Sequence, residues 1–169
     1  MQQRGTGDTP RKPAPRPDAE QLDVWRRYLQ THAAITRELD TELIRGHGLS
    51  LSEFEVLLLL SQAPDRQMRL IRLAERSLVT RSGMTRLITR LEDRGLVERV
   101  RCPSDRRGFN ARLTDEGLDR LRAARRTHLA GISRLFVQPL GEALPALGTS
   151  LERLPQVPAD GQARSDPPC

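Results

Sequence analysis

Trp25, Leu29, His32, Thr36, Leu39 and Leu43 recur at alternating steps of four and three, which places them on one stripe of a single long helix over 19–45. Gly46 and Gly48 follow and end it. Ser50 then stands three residues before Glu53, the spacing of a reciprocal helix cap. Phe54, Leu57, Leu58 and Leu60 give that second helix an apolar face, which stops near Ala63 and Pro64. Met68–Leu70 suits a small edge strand. Leu70, Leu73 and Ala74 carry a short helix to Arg76, and residues 77–79 turn into the next one. Thr80 caps that next helix, Gly95 supplies its left-handed stop, and Met84, Leu87, Ile88 and Leu91 form its buried face. Two arms follow, Leu96–Arg101 and Phe109–Thr114, joined by the turn SDRRG. Thr114 caps a helix of about twenty residues through Leu118, Leu121, His128, Leu129, Ile132 and Leu135, which Pro139 is expected to end. A final helix to about Leu154 takes Pro145 in its first turn and buries Leu144, Leu147, Leu151 and Leu154.

This order predicts a mainly α fold. A helix-turn-helix followed at once by a β-hairpin is the outline of a winged helix, with its lobe at 49–114. Long helices at 19–46 and 115–154 flank it and complete one domain, 19–154. They carry more apolar stripe than so small a lobe covers, and burial against a second copy is the economical solution. A twofold dimer would then present two reading helices ~34 Å apart, the spacing of successive major grooves on one duplex face. Residues 1–18, basic and rich in proline, and residues 155–169 have compositions that bury no core, and both are expected to be disordered tails.

Charge sharpens this picture. The 169-residue chain carries a formal charge of +6, yet Arg66–Arg112 holds 13 arginines against five acids, a local +8. Lys12 is the only lysine, so part of the arginine excess is compositional, and a solvated basic face is the bland reading. Concentration in one segment points instead to a polyanion. The outward face of the capped basic helix offers Arg81, Ser82, Thr85, Arg86, Thr89 and Arg90, side chains suited to phosphates and base edges. In the hairpin, Asp105 is an acid in the most basic stretch of the chain. It makes sense as the ion-pair partner of an arginine that sets the wing's angle, leaving Arg106 or Arg107 to enter a minor groove.

Other classes find little support. No nucleophile elbow, phosphate-binding glycine loop or metal-ligand spacing is present, so no enzyme, cofactor or metal is expected. Cys102 and Cys169 suggest no disulfide framework. No apolar run approaches the ~20 residues of a membrane span, and no signal-peptide pattern is visible, so a cytoplasmic protein is expected.

The stretches LSLSEFEVLLLL, RLAERSLVTRSGMTRLITRLEDRGLVER and SDRRGFNARLTDEG, which together cover 49–117 almost without gaps, resemble the multiple-antibiotic-resistance regulator (MarR) family of bacterial transcription factors. The resemblance implies a homodimeric winged helix that represses transcription from an inverted-repeat operator. It makes Arg81–Arg94 the recognition helix and Asp105 with Arg107 the wing pair. It also implies a pocket for a small aromatic or phenolic effector that releases the DNA, with Tyr28, His32, Leu57 and His128 as lining candidates. Ile71 departs from the family by standing where a small polar cap often precedes the third helix, so an irregular start is expected there. No cysteine stands near the start of the first helix, where thiol-switching members carry one, and Cys102 is read as structural. The alternative function is a protein-interaction module or antirepressor that has kept the fold and lost DNA binding.

Overall fold

The computed structural model describes residues 16–77, 79–102 and 105–155, with the side chains of 102–108 left out of the description. The expected terminal tails therefore lie almost wholly outside the described residues. So do the expected Asp105–Arg107 pair and the side chains of Arg106 and Cys102.

Helix α1 spans Ala19–His47, and the chain divides by packing within it, one unit ending at Ala34 and the other beginning at Ile35. In the first unit Leu22, Val24, Trp25, Tyr28 and Leu29 are all exposed. Trp25 stacks on Tyr28 with ring centres 5.7 Å apart, and Tyr28 lies 6.4 Å from the His32 ring.

The second unit holds the core. From the later part of α1, Leu39 and Leu43 turn inward, and the Asp40 carboxylate accepts the Leu51 N–H at 2.8 Å, capping helix α2, Leu51–Gln62. The Ser50–Glu53 reciprocal cap forms as the spacing predicts. A short turn at 64–66 leads to strand β1 (Gln67–Arg69), then helix α3 (Leu70–Arg76) and helix α4 (Arg81–Asp93). α3 starts with Arg69 in the cap position and no side-chain cap bond, which fits the irregular start expected beside Ile71. Strands β2 (Val97–Cys102) and β3 (Asp105–Leu113) form the hairpin, and β1 adds antiparallel to the other side of β3. β3 begins at Asp105, so most of SDRRG, expected as a turn, is strand; Cys102 pairs with Asp105 across a register shift that follows Arg101.

Phe54, Val56, Leu57 and Leu60 of α2 meet Leu73 of α3, the α4 stripe, Leu96, Val97, Ala111 and Leu113 in one core. Thr114 fastens helix α5 (Asp115–Ile132) onto it. Its hydroxyl accepts the Gly117 N–H at 3.0 Å and donates to the Gly95 carbonyl at 2.7 Å. The approach is so close that a Cβ on Gly117 would lie 2.0 Å from the Leu96 carbonyl oxygen.

Two expectations for the C-terminal region are corrected. Pro139 does not end its helix: Ser133–Val137 widen into a π turn, the Gln138 N–H bonds the Ser133 carbonyl, and the path continues through α6 (Gln138–Leu140). The widened turn carries the helix past a residue that cannot donate a backbone bond. Gly141, at φ +46° and ψ −122°, is the residue that breaks it. In helix α7 (Leu144–Leu151) Pro145 does sit in the first turn, but no residue is buried; Leu151 and Leu154 are exposed because nothing among the described residues covers that stripe. Among the described residues, no helix is long and apolar enough to cross a membrane.

Candidate nucleic-acid interface

Helix α4 is built to present one face outward. The Thr80 hydroxyl accepts the Gly83 N–H at 3.2 Å, fixing where the helix starts, and Met84, Leu87, Ile88 and Leu91 fasten its inner side to the core. Arg81, Ser82, Thr85, Arg86 and Arg90 are exposed, while Thr89 is half-buried. Among the described residues, Arg81 and Arg86 hold no acidic partner, so both guanidinium groups are available to an anion.

Thr89 and Arg90, at the far end of the expected reading face, are occupied. Thr89 donates its hydroxyl to the Thr85 carbonyl at 3.0 Å and accepts from Arg99 Nη2 of β2 at 2.6 Å. Arg99 Nε also lies 3.3 Å from the Glu92 carboxylate. Arg90 turns its Nε to Glu53 Oε1 on α2, at 3.3 Å. Arg94, one turn further on, gives Nη1 to Glu53 Oε2 at 3.3 Å and Nη2 to the Gly48 carbonyl at 2.9 Å.

Sequence reasoning missed this cluster. The spacing assigns Glu53 to the α2 cap alone, Arg94 to the end of the recognition helix and its turn, and no partner on α2 or α4 to Arg94 or Arg99. The signal was there in the spacing: Glu53 shares the buried side of α2 with Leu57 and Leu60, four and seven residues on, and an acid on that side must meet a cation.

The segment's +8 overstates its free positive charge. Glu53 and Asp115, both outside 66–112, hold Arg90, Arg94 and Arg66. On the wing Arg112 faces Glu98 across β2 and β3, with Nε 2.7 Å from Oε1. That hydrogen bond, and then the charge attraction, holds the Arg112 guanidinium above its ordinary pKa.

The four effector candidates are distributed over both units. Tyr28 and His32 are exposed in the unit ending at Ala34. Leu57 has no accessible surface, and the half-buried His128 ring packs 4.4 Å from the Phe54 ring, where burial lowers its pKa. A cleft of about 460 Å³ opens between the end of α1 and α5, near Arg45, Thr127 and Arg134, and none of the four lines it.

The sequence profile of the MarR family matches residues 49–109. The HTH-type transcriptional repressor YetL of Bacillus subtilis is 34% identical over 113 residues, 64% of this chain and 68% of that one. Among solved structures, Sco3205, a MarR family transcriptional regulator from Streptomyces coelicolor in complex with DNA, is 33% identical. It superposes with a TM-score of 0.76 over 86% of this chain and 89% of its own. AbsC, a MarR family regulator from the same organism, is 32% identical, with a TM-score of 0.74 over 82% and 94%.

Proposed function

The chain belongs to the MarR family of transcriptional regulators, and we propose that it represses transcription as a homodimer on an inverted-repeat operator. One observation carries the reading: α4 is capped, backed by the core, and turns Arg81, Ser82, Thr85 and Arg86 outward, with both arginines free of acidic partners among the described residues. The solved relative Sco3205, in complex with DNA, supports it. The helix enters a major groove, where Thr85 and Arg86 meet base edges and Arg81 meets phosphate. Arg106 or Arg107 of the wing enters the neighbouring minor groove at an angle set by Asp105. A second copy covers apolar positions that one chain leaves exposed, among them Trp25, Leu29, Leu129 and Leu151. A small aromatic or phenolic effector belongs to the same reading, with Tyr28 and His32 in the first unit and His128 in the second as separate candidates, since the enclosed Leu57 offers no surface.

The test is selection of bound duplexes from genomic fragments, then titration of the selected site over a range of salt. Affinity is expected to fall steeply with ionic strength, because each neutralised phosphate releases a condensed cation. A flat salt dependence, or a monomeric mass by light scattering at micromolar concentration, rejects the proposal.

A further inference from the structure

Glu53 does more than cap α2. Its carboxylate is 7% exposed, and both oxygens are committed: Oε1 to Arg90, Oε2 to Arg94 and to the Ser50 N–H at 3.0 Å. Arg90 and Arg94 are one helical turn apart, so a single carboxylate grips the same edge of α4 at two levels. Two such contacts fix both the height and the rotation of the helix end, which one contact cannot do. Arg94 extends the grip to the Gly48 carbonyl, in the loop that joins α1 to α2. Among the described residues, the first two turns of α4 have no comparable tie beyond the Thr80 cap and the core beneath.

We propose that Glu53 is a positioning residue for DNA reading, setting the angle of α4 through Arg90 and Arg94, and that Arg90 acts through Glu53 rather than on DNA. This rests on the functional reading above. Arg90 is 57% exposed and stands on the basic face, so charge alone would assign it to a phosphate. The competition favours Glu53. A phosphate in the groove is hydrated and screened by salt, whereas drawing Arg90 away would strip a partner from a carboxylate that water scarcely reaches. An affinity contribution from Arg90 then comes without release of a condensed cation.

The experiment compares wild type, Arg90→Gln, Glu53→Gln and the double variant on the selected duplex, titrated across salt concentrations. Glu53→Gln keeps an oxygen for the Ser50 N–H, and Arg90→Gln changes an exposed side chain, so the fold is expected to survive in both. Each single change is expected to weaken binding about tenfold on every sequence, and the double change no further, the non-additivity of residues in one network. The log–log salt slope stays at the wild-type value. A slope reduced by about one in Arg90→Gln identifies Arg90 as a phosphate contact and overturns the proposal. Additive losses overturn it as well. If wild type binds no duplex, the functional reading fails by itself. The Glu53–Arg90 link is then judged by the same cycle in denaturant unfolding, where zero coupling rejects it. Should Glu53→Gln not fold, the salt slope of Arg90→Gln decides alone.

Discussion

Arg99 on β2 donates to the Thr89 hydroxyl on α4 across 2.6 Å, joining the wing to the reading helix. The two elements follow one another in the chain, and the junction is held by the Leu96 N–H on the Leu91 carbonyl and by burial of Leu96 and Val97. The bond, with the Arg99–Glu92 pair beside it, adds a side-chain tie farther along both elements. Thr89→Val keeps the side chain's shape and deletes the acceptor. Stability is expected to fall by about 1 kcal/mol, the net worth of one such bond. Operator affinity is expected to drop on all sequences while the preferred sequence stays the same. Selection of bound DNA by the variant checks this; a changed base preference would return Thr89 to the reading surface.

Arg86 and Arg81 are expected to fail differently. On the proposed reading Arg86→Ala removes a contact to a base edge, which is expected to cost ~1–3 kcal/mol on the preferred site and to relax the choice at that position. On the same reading Arg81→Ala removes a phosphate contact near the helix start, which is expected to weaken all sequences alike and to reduce the salt slope by about one. Parallel selections and salt titrations on the two variants separate these outcomes.

Gly117→Ala tests how α5 is seated. The new methyl would stand 2.0 Å from a backbone oxygen of Leu96 and 2.8 Å from the Leu113 side chain, and the carbonyl has no rotamer with which to yield. A loss of roughly 3 kcal/mol or more in denaturant unfolding is expected, at the upper end for an overpacked site. A change below about 1 kcal/mol would show that α5 shifts without cost.

Much of this molecule was legible in its sequence because caps and periodicity are local. Ser50 with Glu53, Thr80 with Gly95, and Thr114 announce helix ends by short-range bonds, and the structure forms each. Pro139 misled because its rule assumes α geometry, and a π turn upstream changes the register that the proline meets. The α7 leucines misled because periodicity marks an apolar face without saying which surface covers it. The basic face was legible as charge, but not as the division between free Arg81 and Arg86 and anchored Arg90 and Arg94. That division depends on Glu53, about forty residues earlier, and its burial is a property of packing rather than of local sequence.

His128 gives the fold a pH dependence. Its ring is partly buried against Phe54, and burial lowers its pKa from the ordinary value of 6.5. Below pH 6.5 the unfolded chain takes up a proton that the folded chain still refuses. Stability from this group is therefore full above 6.5 and is lost as pH falls through that value towards the depressed folded pKa. Glu55 works in the opposite sense, since burial raises its carboxyl from 4.5 and the folded chain protonates first there. Its contribution rises as pH falls through the raised value, so wild-type unfolding alone mixes the two groups. The difference between wild type and His128→Phe isolates the histidine, because Glu55 is common to both and an aromatic ring still meets Phe54. That difference, followed by denaturant unfolding from pH 7.5 to 5.5, is expected to favour the variant increasingly as pH drops. A difference that stays constant across the range would mean that water reaches the ring freely and that its contact with Phe54 is not maintained in solution.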